Sequence, residues 1–77
     1  SPGPLEGSWR SSGSVAPVTF SPGQVEAMGV MEAAEYSVVG NEVTMTLMTG
    51  PDKGSTRQYV VKSPEMMLSK GQTYRRM

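Results

Sequence analysis

Short clusters of Gly, Pro, Asn and Ser recur along this sequence and divide it into segments that are too short for typical helices. The intervening segments are rich in Val, Thr, Tyr and Met, which is the composition of β-strands bounded by turns. A series of short strands joined by turns is typical of an antiparallel meander. The turn clusters fall at residues 12–14, 21–23, 40–41, 50–54, 63–65 and 69–71.

Residues 24–36 are the one stretch in which a helix could form, because they contain several Ala and Met residues. Gly29 interrupts the stretch, and Val25 and Val30 lower its helix propensity further. We therefore expect an irregular pair of strands, or a strand followed by a turn. A single short helix is the alternative.

The middle of the chain predicts two hairpins that share one strand. If residues 40–41 form a two-residue loop, Val38 faces Val43 across the strand pair. Continuing across the next loop places Val61 opposite Val43 on the same apolar face. The sequence thus predicts a three-stranded antiparallel unit over residues 36–62, with Val43 turned toward the core.

Two further hairpins flank this unit. The turn after Phe20 pairs that residue with Val25. The last hairpin, with a three-residue loop, places Met66 opposite Tyr74 on the inner face, so that Met67 points outward. Each hairpin therefore has one apolar face.

An open sheet of this kind would leave two strand edges and one apolar face exposed, with no convincing helix to cover them. We expect an all-β fold: a small antiparallel up-and-down meander of about six to seven strands, closed or nearly closed into a barrel. A two-layer sandwich is the alternative. A chain of 77 residues has room for one small domain. We assign that domain to residues 5–77, and residues 1–4 to a flexible N-terminal tether.

The composition removes most catalytic chemistry. The sequence contains no Cys and no His, which excludes thiol nucleophiles, imidazole bases and ordinary zinc sites. Glu32 and Glu35 could act as an acid–base pair, but nothing in the sequence identifies a pocket for them, and solvated carboxylates are the default interpretation. We therefore expect no enzymatic activity, no catalytic residues, no cofactor and no metal site.

The charges are unevenly distributed along the chain. The first 50 residues carry one basic and five acidic side chains, and the remainder carries six basic and two acidic ones. The simpler interpretation is pairing of the two halves across one sheet. The alternative is a basic-faced barrel that binds single-stranded nucleic acid. The zero net charge disfavours it, as does the prediction that Tyr59 and Tyr74 face inward while Lys62 and Arg75 point outward.

Seven methionines are the most unusual feature of the composition. Two M-x-x-M pairs supply soft ligands of the kind that Cu(I) prefers, but positions three apart in a strand point to opposite faces. Core packing explains Met45 and Met66 better. The outer-face methionines and the long loop before residue 56 would form an adaptable surface for a partner. This candidate partner surface comprises Met48, Pro51, Asp52, Lys53 and Met67.

The opening Leu5-Glu6-Gly7-Ser8-Trp9 resembles the L-x-G-x-W start of lipocalin-like (calycin) proteins. The features that follow are a Val-Thr-Phe-Ser-Pro-Gly segment at 18–23, Gly40-Asn41, a Thr-rich strand and the closing Tyr74-Arg75-Arg76. This order is similar to that of the short lipocalin-like domains of bacterial secreted lipoproteins. The resemblance covers residues 5–76.

This resemblance implies that Trp9 plugs one end of a barrel and that Arg76, or failing that Arg75, packs over its ring. Physical reasoning supports the same contact for the chain's single Trp. Its burial would remove up to about 250 Å² from water, and a stacked guanidinium would contribute about 0.5–2 kcal/mol. The first and last strands would then be neighbours, and Trp9 and Arg76 would close the structure.

The resemblance also implies a non-enzymatic domain of a bacterial envelope or secreted lipoprotein, either periplasmic or anchored to the outer membrane. The expected partner is a protein, an envelope component or a small apolar ligand, and nucleic acid is not expected. Contact with a membrane is expected only through a lipid-modified Cys ahead of residues 1–4.

Overall fold

The computed structural model describes residues 1–13 and 16–77 as eight antiparallel strands preceded by a 3-10 turn at Gly3–Leu5. The strands are β1 (Gly7–Ser11), β2 (Val18–Ser21), β3 (Gln24–Ala27), β4 (Val30–Val39), β5 (Glu42–Leu47), β6 (Thr56–Ser63), β7 (Met66–Ser69) and β8 (Gln72–Arg76). Each strand pairs with the next, and β1 also pairs with β8, so the sheet forms a closed barrel. The expected all-β antiparallel barrel is confirmed, with a strand number slightly higher than predicted.

Residues 24–36 contain β3 and the start of β4, which partly explains why the barrel has more strands than predicted. These strands meet at a two-residue turn, in which Met28 and Gly29 have φ angles of 54° and 78°. Two-residue hairpin turns favour positive φ at both central positions, and Asn-Gly is their usual sequence. Because Met28 rather than Asn occupies the first position, the sequence does not indicate this turn. The predicted strand pair is confirmed, and the helix alternative is wrong.

The register of β4 with β5 agrees with the prediction, whereas the register of β5 with β6 differs from it. Val38 pairs with Val43 as predicted, whereas Val43 pairs with Tyr59, two residues before the expected position. The pairing of β5 and β6 continues into the loop, where the Leu47 N–H donates to the Ser55 carbonyl at 3.0 Å. A shift of two residues leaves every side chain on its predicted face.

The register of the last hairpin differs by one residue from the prediction. Its turn contains two residues, Lys70 and Gly71, with φ angles of 51° and 76°, and Met67 therefore pairs with Tyr74. A one-residue change in a loop reverses the faces of the strand. The prediction of Met66 inside and Met67 outside is thus wrong: Met67 is fully buried and Met66 is half-buried.

Inward side chains of β1 to β7, together with Leu5, form the hydrophobic core of the barrel, and Tyr74 of β8 packs against it. Phe20 packs edge-on against Tyr59, with ring centroids 5.1 Å apart, and against Tyr36 at 6.4 Å. Edge-to-face contacts of this kind are favoured between aromatic rings. The buried core consists of Leu5, Trp9, Phe20, Val25, Ala34, Val43, Met45, Tyr59, Val61 and Met67.

The two ends of the barrel are built differently. Connections alternate between the ends of an up-and-down barrel, so the turns after β2, β4 and β6 share one end with the 3-10 turn. Leu5 of that turn is fully buried, and we call this the closed end. The turns after β3 and β7 and the loop after β5 lie at the other end, which we call the open end.

Within the described residues, no helix is long and apolar enough to cross a membrane.

Candidate ligand-binding site

Trp9 and Arg76 meet at the seam where the first and last strands pair. The register of β1 and β8 places them directly opposite each other, and the Arg76 guanidinium carbon lies 4.2 Å from the ring centroid of Trp9. The indole Nε1–H donates to the Leu5 carbonyl at 2.8 Å. The contact predicted from the sequence is present, and it is made by Arg76 rather than Arg75.

The Arg76 guanidinium also donates three hydrogen bonds to backbone carbonyls. Its Nε donates to Pro64 at 2.5 Å, its Nη1 to Glu6 at 2.6 Å and its Nη2 to Pro4 at 3.0 Å. One side chain thus joins the last strand to the N-terminal segment and to the turn after β6. Gly7, with a φ of 120°, is required here because a Cβ atom would collide with Nη1 of Arg76.

Residues 1–4 lie against the closed end. The side chain of Pro2 is fully buried, and its carbonyl accepts a hydrogen bond from the Leu5 N–H at 3.2 Å. These contacts extend the packed structure back to Pro2. The assignment of residues 1–4 to a flexible tether stays a prediction.

A cavity of about 280 Å³ lies at the open end of the barrel. Binding cavities for small molecules are mostly apolar, measure about 300–1,000 Å³ and contain a few polar groups that orient the ligand. The volume of this cavity lies just below that range, and its lining is likewise mostly apolar with a few polar groups. Its apolar walls are formed by Val18, Phe20, Val25, Ala27, Val30, Met45, Leu47 and Pro51.

Glu32 brings a carboxylate into this cavity from the inner face of β4, where it pairs with the buried Val25. Its Oε1 accepts a hydrogen bond of 2.6 Å from the Thr49 hydroxyl, which in turn accepts one of 2.9 Å from the Ala33 N–H. A Cβ atom at Gly50, whose φ is 87°, would collide with the carboxylate. The Thr49 hydroxyl therefore orients this carboxylate, which lies close to the backbone of Gly50.

Arg57 and two tyrosines bring further polar groups to the cavity. Arg57 and Tyr59 share the inner face of β6, and Tyr74 comes from β8. Within the described part of the chain, the Arg57 guanidinium and the hydroxyls of Tyr59 and Tyr74 bind no protein group. Every fully buried side-chain polar atom in that part is hydrogen-bonded. These three groups are therefore open to the cavity or to solvent.

Burial raises the pKa of two tyrosines. Desolvation raises the pKa of Tyr59 to about 12, although the positive charge of Arg57 acts in the opposite direction. Desolvation also raises the pKa of Tyr36 to about 12. Its hydroxyl donates to the Gln24 carbonyl at 2.6 Å.

Tyr59→Phe is expected to flatten the alkaline stability profile. The folded protein holds the Tyr59 proton more tightly than the unfolded chain does, so unfolding releases protons between about pH 10 and 12. The contribution of Tyr59 is complete below that window and is lost as the pH rises through it. Urea unfolding at a series of pH values measures the slope. A Tyr59→Phe profile as steep as that of the unchanged protein would contradict the shifted pKa.

Four residues of the predicted partner surface lie in the exposed loop between β5 and β6. Met48 and Lys53 are exposed, and Pro51 and Asp52 also line the mouth of the cavity. Met67 does not belong to this surface, because its side chain is fully buried inside the barrel. The cause is the one-residue difference in the turn that precedes β8.

The barrel separates the other groups that the sequence suggested for chemistry. Glu32 faces the cavity, whereas Glu35, three positions later, is exposed on the outer face. Met45 is buried and Met48 is exposed, so this M-x-x-M pair does not converge. Among residues 1–13 and 16–77, no three acidic side chains gather into a group that could hold a metal ion.

Tyr59 and Tyr74 lie apart from Lys62 and Arg75, as the sequence predicts, whereas Arg57 lies with the two tyrosines at the cavity. Tyr59 is buried and Tyr74 is half-buried, whereas Lys62 and Arg75 are exposed. A surface on which bases could stack beside positive charge is not formed by these residues.

No known protein family, no curated protein and no solved structure matches this chain. The candidate site is therefore defined by its geometry. Sequence reasoning identified the loop at the cavity mouth but did not predict that Glu32 and Arg57 line the same cavity. The signal that could have found it is their alternation with core residues: Glu32 precedes Ala34 by two positions, and Arg57 precedes Tyr59 by two.

Proposed function

We propose that this chain is a non-enzymatic binding domain that holds a small ligand with an apolar body in the cavity at the open end. The observation that carries the proposal is the cavity itself, with a volume of about 280 Å³ and mostly apolar walls that include the core side chains Phe20, Val25 and Met45. Polar groups without a protein partner lie along the same cavity. They could orient a ligand, while the apolar walls would supply most of the binding free energy.

The closed end supports this function by fixing the barrel. The Arg76 side chain stacks on Trp9 and binds three carbonyls, so the seam between β1 and β8 is held by side chains as well as by the sheet. A cavity that is already formed before binding avoids the entropy cost of ordering its walls. A small barrel closed at one end therefore suits a ligand that enters from the other.

We further propose that the domain belongs to a bacterial envelope or secreted lipoprotein, periplasmic or anchored to the outer membrane. The L-x-G-x-W start and the contact between Trp9 and Arg76 support this assignment. The exposed loop with Met48 and Lys53 would contact a protein or an envelope component. The full-length precursor tests the location. A signal peptide ending in a Cys just ahead of Ser1 would support it, and a precursor without any export signal would contradict it.

Ala27→Phe is expected to abolish or strongly weaken binding of a neutral apolar probe. Ala27 is half-buried in the cavity wall near the open end, and the larger ring would occupy the space that the ligand needs. N-phenylnaphthylamine is a suitable probe because it is uncharged and its fluorescence rises in an apolar site. We expect saturable binding by the unchanged protein and at least about a tenfold weaker affinity in the variant.

Ser37→Phe provides the matched control, since Ser37 is exposed on β4 and does not line the cavity. It adds the same apolar ring to the outside of the barrel and should leave probe binding unchanged. Circular dichroism would verify that both variants are folded. Equal affinities for the two variants, or no saturable binding by the unchanged protein, would contradict the proposed cavity.

A further inference from the structure

Three charged side chains line the cavity: Glu32 and Arg57 in its wall and Asp52 at its mouth, and no ion pair joins Arg57 to either carboxylate in the described residues. Glu32 enters from β4 and Arg57 from β6, with β5 between these strands. In the part of the chain that the structure describes, no ion pair joins them, and Arg57 has no other ionic partner. Glu32 is half-buried and Arg57 is exposed at the cavity, so both charges remain accessible to a ligand that enters from solvent.

The Glu32 carboxylate is held at the cavity wall by a hydrogen bond from the loop after β5. Thr49 donates to Oε1, the Ala33 N–H fixes the Thr49 hydroxyl, and a side chain at position 50 would displace the carboxylate. An ionised carboxylate accepts about four hydrogen bonds. Its remaining acceptor capacity is available to a donor in the cavity, such as an ammonium group.

Arg57 offers the opposite chemistry to the same cavity. A guanidinium carries five N–H donors and favours carboxylates, which it can bind through two parallel hydrogen bonds. The nearby hydroxyls of Tyr59 and Tyr74 have no protein partner in the described structure and could donate to the same anion. A ligand carboxylate at Arg57 would therefore lie among donors.

We propose that the ligand is a small zwitterion with an apolar body, whose ammonium group binds Glu32 and whose carboxylate binds Arg57. This inference rests on the proposed function of the cavity and specifies its ligand class. An anion alone would leave the Glu32 carboxylate without a cation, and a cation alone would leave Arg57 without an anion. Only a ligand with both charges pairs both side chains while its apolar body contacts the walls.

Three compounds with the same phenylethyl body test the ligand class. Phenylalanine carries both charges, phenethylamine only the ammonium group and phenylpropionate only the carboxylate. We expect phenylalanine to bind at least about tenfold more tightly than either of the others, because each single-charge compound lacks one charge-assisted hydrogen-bonding group. Isothermal titration or displacement of N-phenylnaphthylamine measures the three dissociation constants.

Two variants test the assignment of each charge. Glu32→Gln should weaken phenylalanine and phenethylamine but not phenylpropionate, and Arg57→Gln should weaken phenylalanine and phenylpropionate but not phenethylamine. Glu35→Gln and Lys62→Gln are the controls, because both side chains are exposed and neither lines the cavity. They remove the same charges and should leave all three affinities unchanged. Thermal unfolding would verify that each variant is folded.

The outcomes separate this inference from the proposed function. If N-phenylnaphthylamine binds in the cavity but phenylalanine binds no more tightly than the single-charge compounds, the zwitterion is wrong and the cavity stands. If the four variants affect the three compounds equally, the assignment to Glu32 and Arg57 is overturned. If neither the neutral probe nor any of the three compounds binds, the proposed function itself fails.

Discussion

Trp9→Ala is expected to destabilise the protein by about 3–5 kcal/mol, the range found when buried large aromatic residues are replaced by alanine. Trp9 is fully buried, stacks beneath the Arg76 guanidinium and donates to the Leu5 carbonyl. Its loss would leave a void at the closed end and loosen the seam between β1 and β8. A chain of 77 residues has a total stability of about 4–12 kcal/mol. A large fraction of that stability would therefore be lost.

Urea unfolding followed by circular dichroism measures this effect without relying on Trp fluorescence. Arg76→Ala should cost less, because the Arg76 hydrogen bonds are partly exposed to solvent. Arg76→Met keeps most of the apolar stem and isolates the contribution of the guanidinium. A loss below about 1 kcal/mol for Trp9→Ala would be that of an ordinary surface substitution and would contradict closure by this side chain.

Met67→Ala is expected to cost about 2–5 kcal/mol, and the neighbouring Met66→Ala clearly less. Met67 is fully buried on the inner face of β7, whereas Met66 is half-buried on the outer face. The two substitutions remove the same atoms from adjacent positions, so their difference reports the register of the last hairpin. Alternation along a strand predicts unequal effects of this size.

Denaturant unfolding of the two alanine variants measures the difference, with Met48→Ala as an exposed reference. Met48 retains 37% of its accessible surface, so its truncation should cost less than that of the fully buried Met67. A larger loss for Met66→Ala than for Met67→Ala would restore the three-residue turn expected from the sequence. Equal losses would contradict a unique register for β7 and β8.

The class of the fold could be predicted because turn residues and strand composition agree along most of the chain. Gly40-Asn41 gave the correct register for β4 and β5, and the turn after Phe20 gave the correct partner for that residue. The exact turn lengths could not be read from the sequence. Met28-Gly29 and Lys70-Gly71 are two-residue turns whose first residue has a positive φ without being Gly, Asn or Asp. A two-residue connection between directly paired strands requires that backbone.

The candidate site was only partly predictable, because it depends on which strands become neighbours. Inner-face alternation identifies Glu32 and Arg57 as candidates, but it does not show that both line one cavity. The Thr49 hydrogen bond and the requirement for Gly50 arise from how the loop after β5 folds over β4. The contact between Trp9 and Arg76 was easier to predict, because it was expected both from the resemblance and from the burial of a single Trp. The observed pairing of Trp9 with Arg76 agrees with that expectation.

The most direct measurement of the proposed function is the map of amide chemical-shift changes in isotope-labelled protein during titration with N-phenylnaphthylamine. Binding in the cavity predicts saturable changes concentrated on the lining residues, such as Ala27, Leu47 and Arg57, with little change at the turn after β4. Changes confined to the closed end or to the outer faces of the strands would contradict a ligand cavity at the open end.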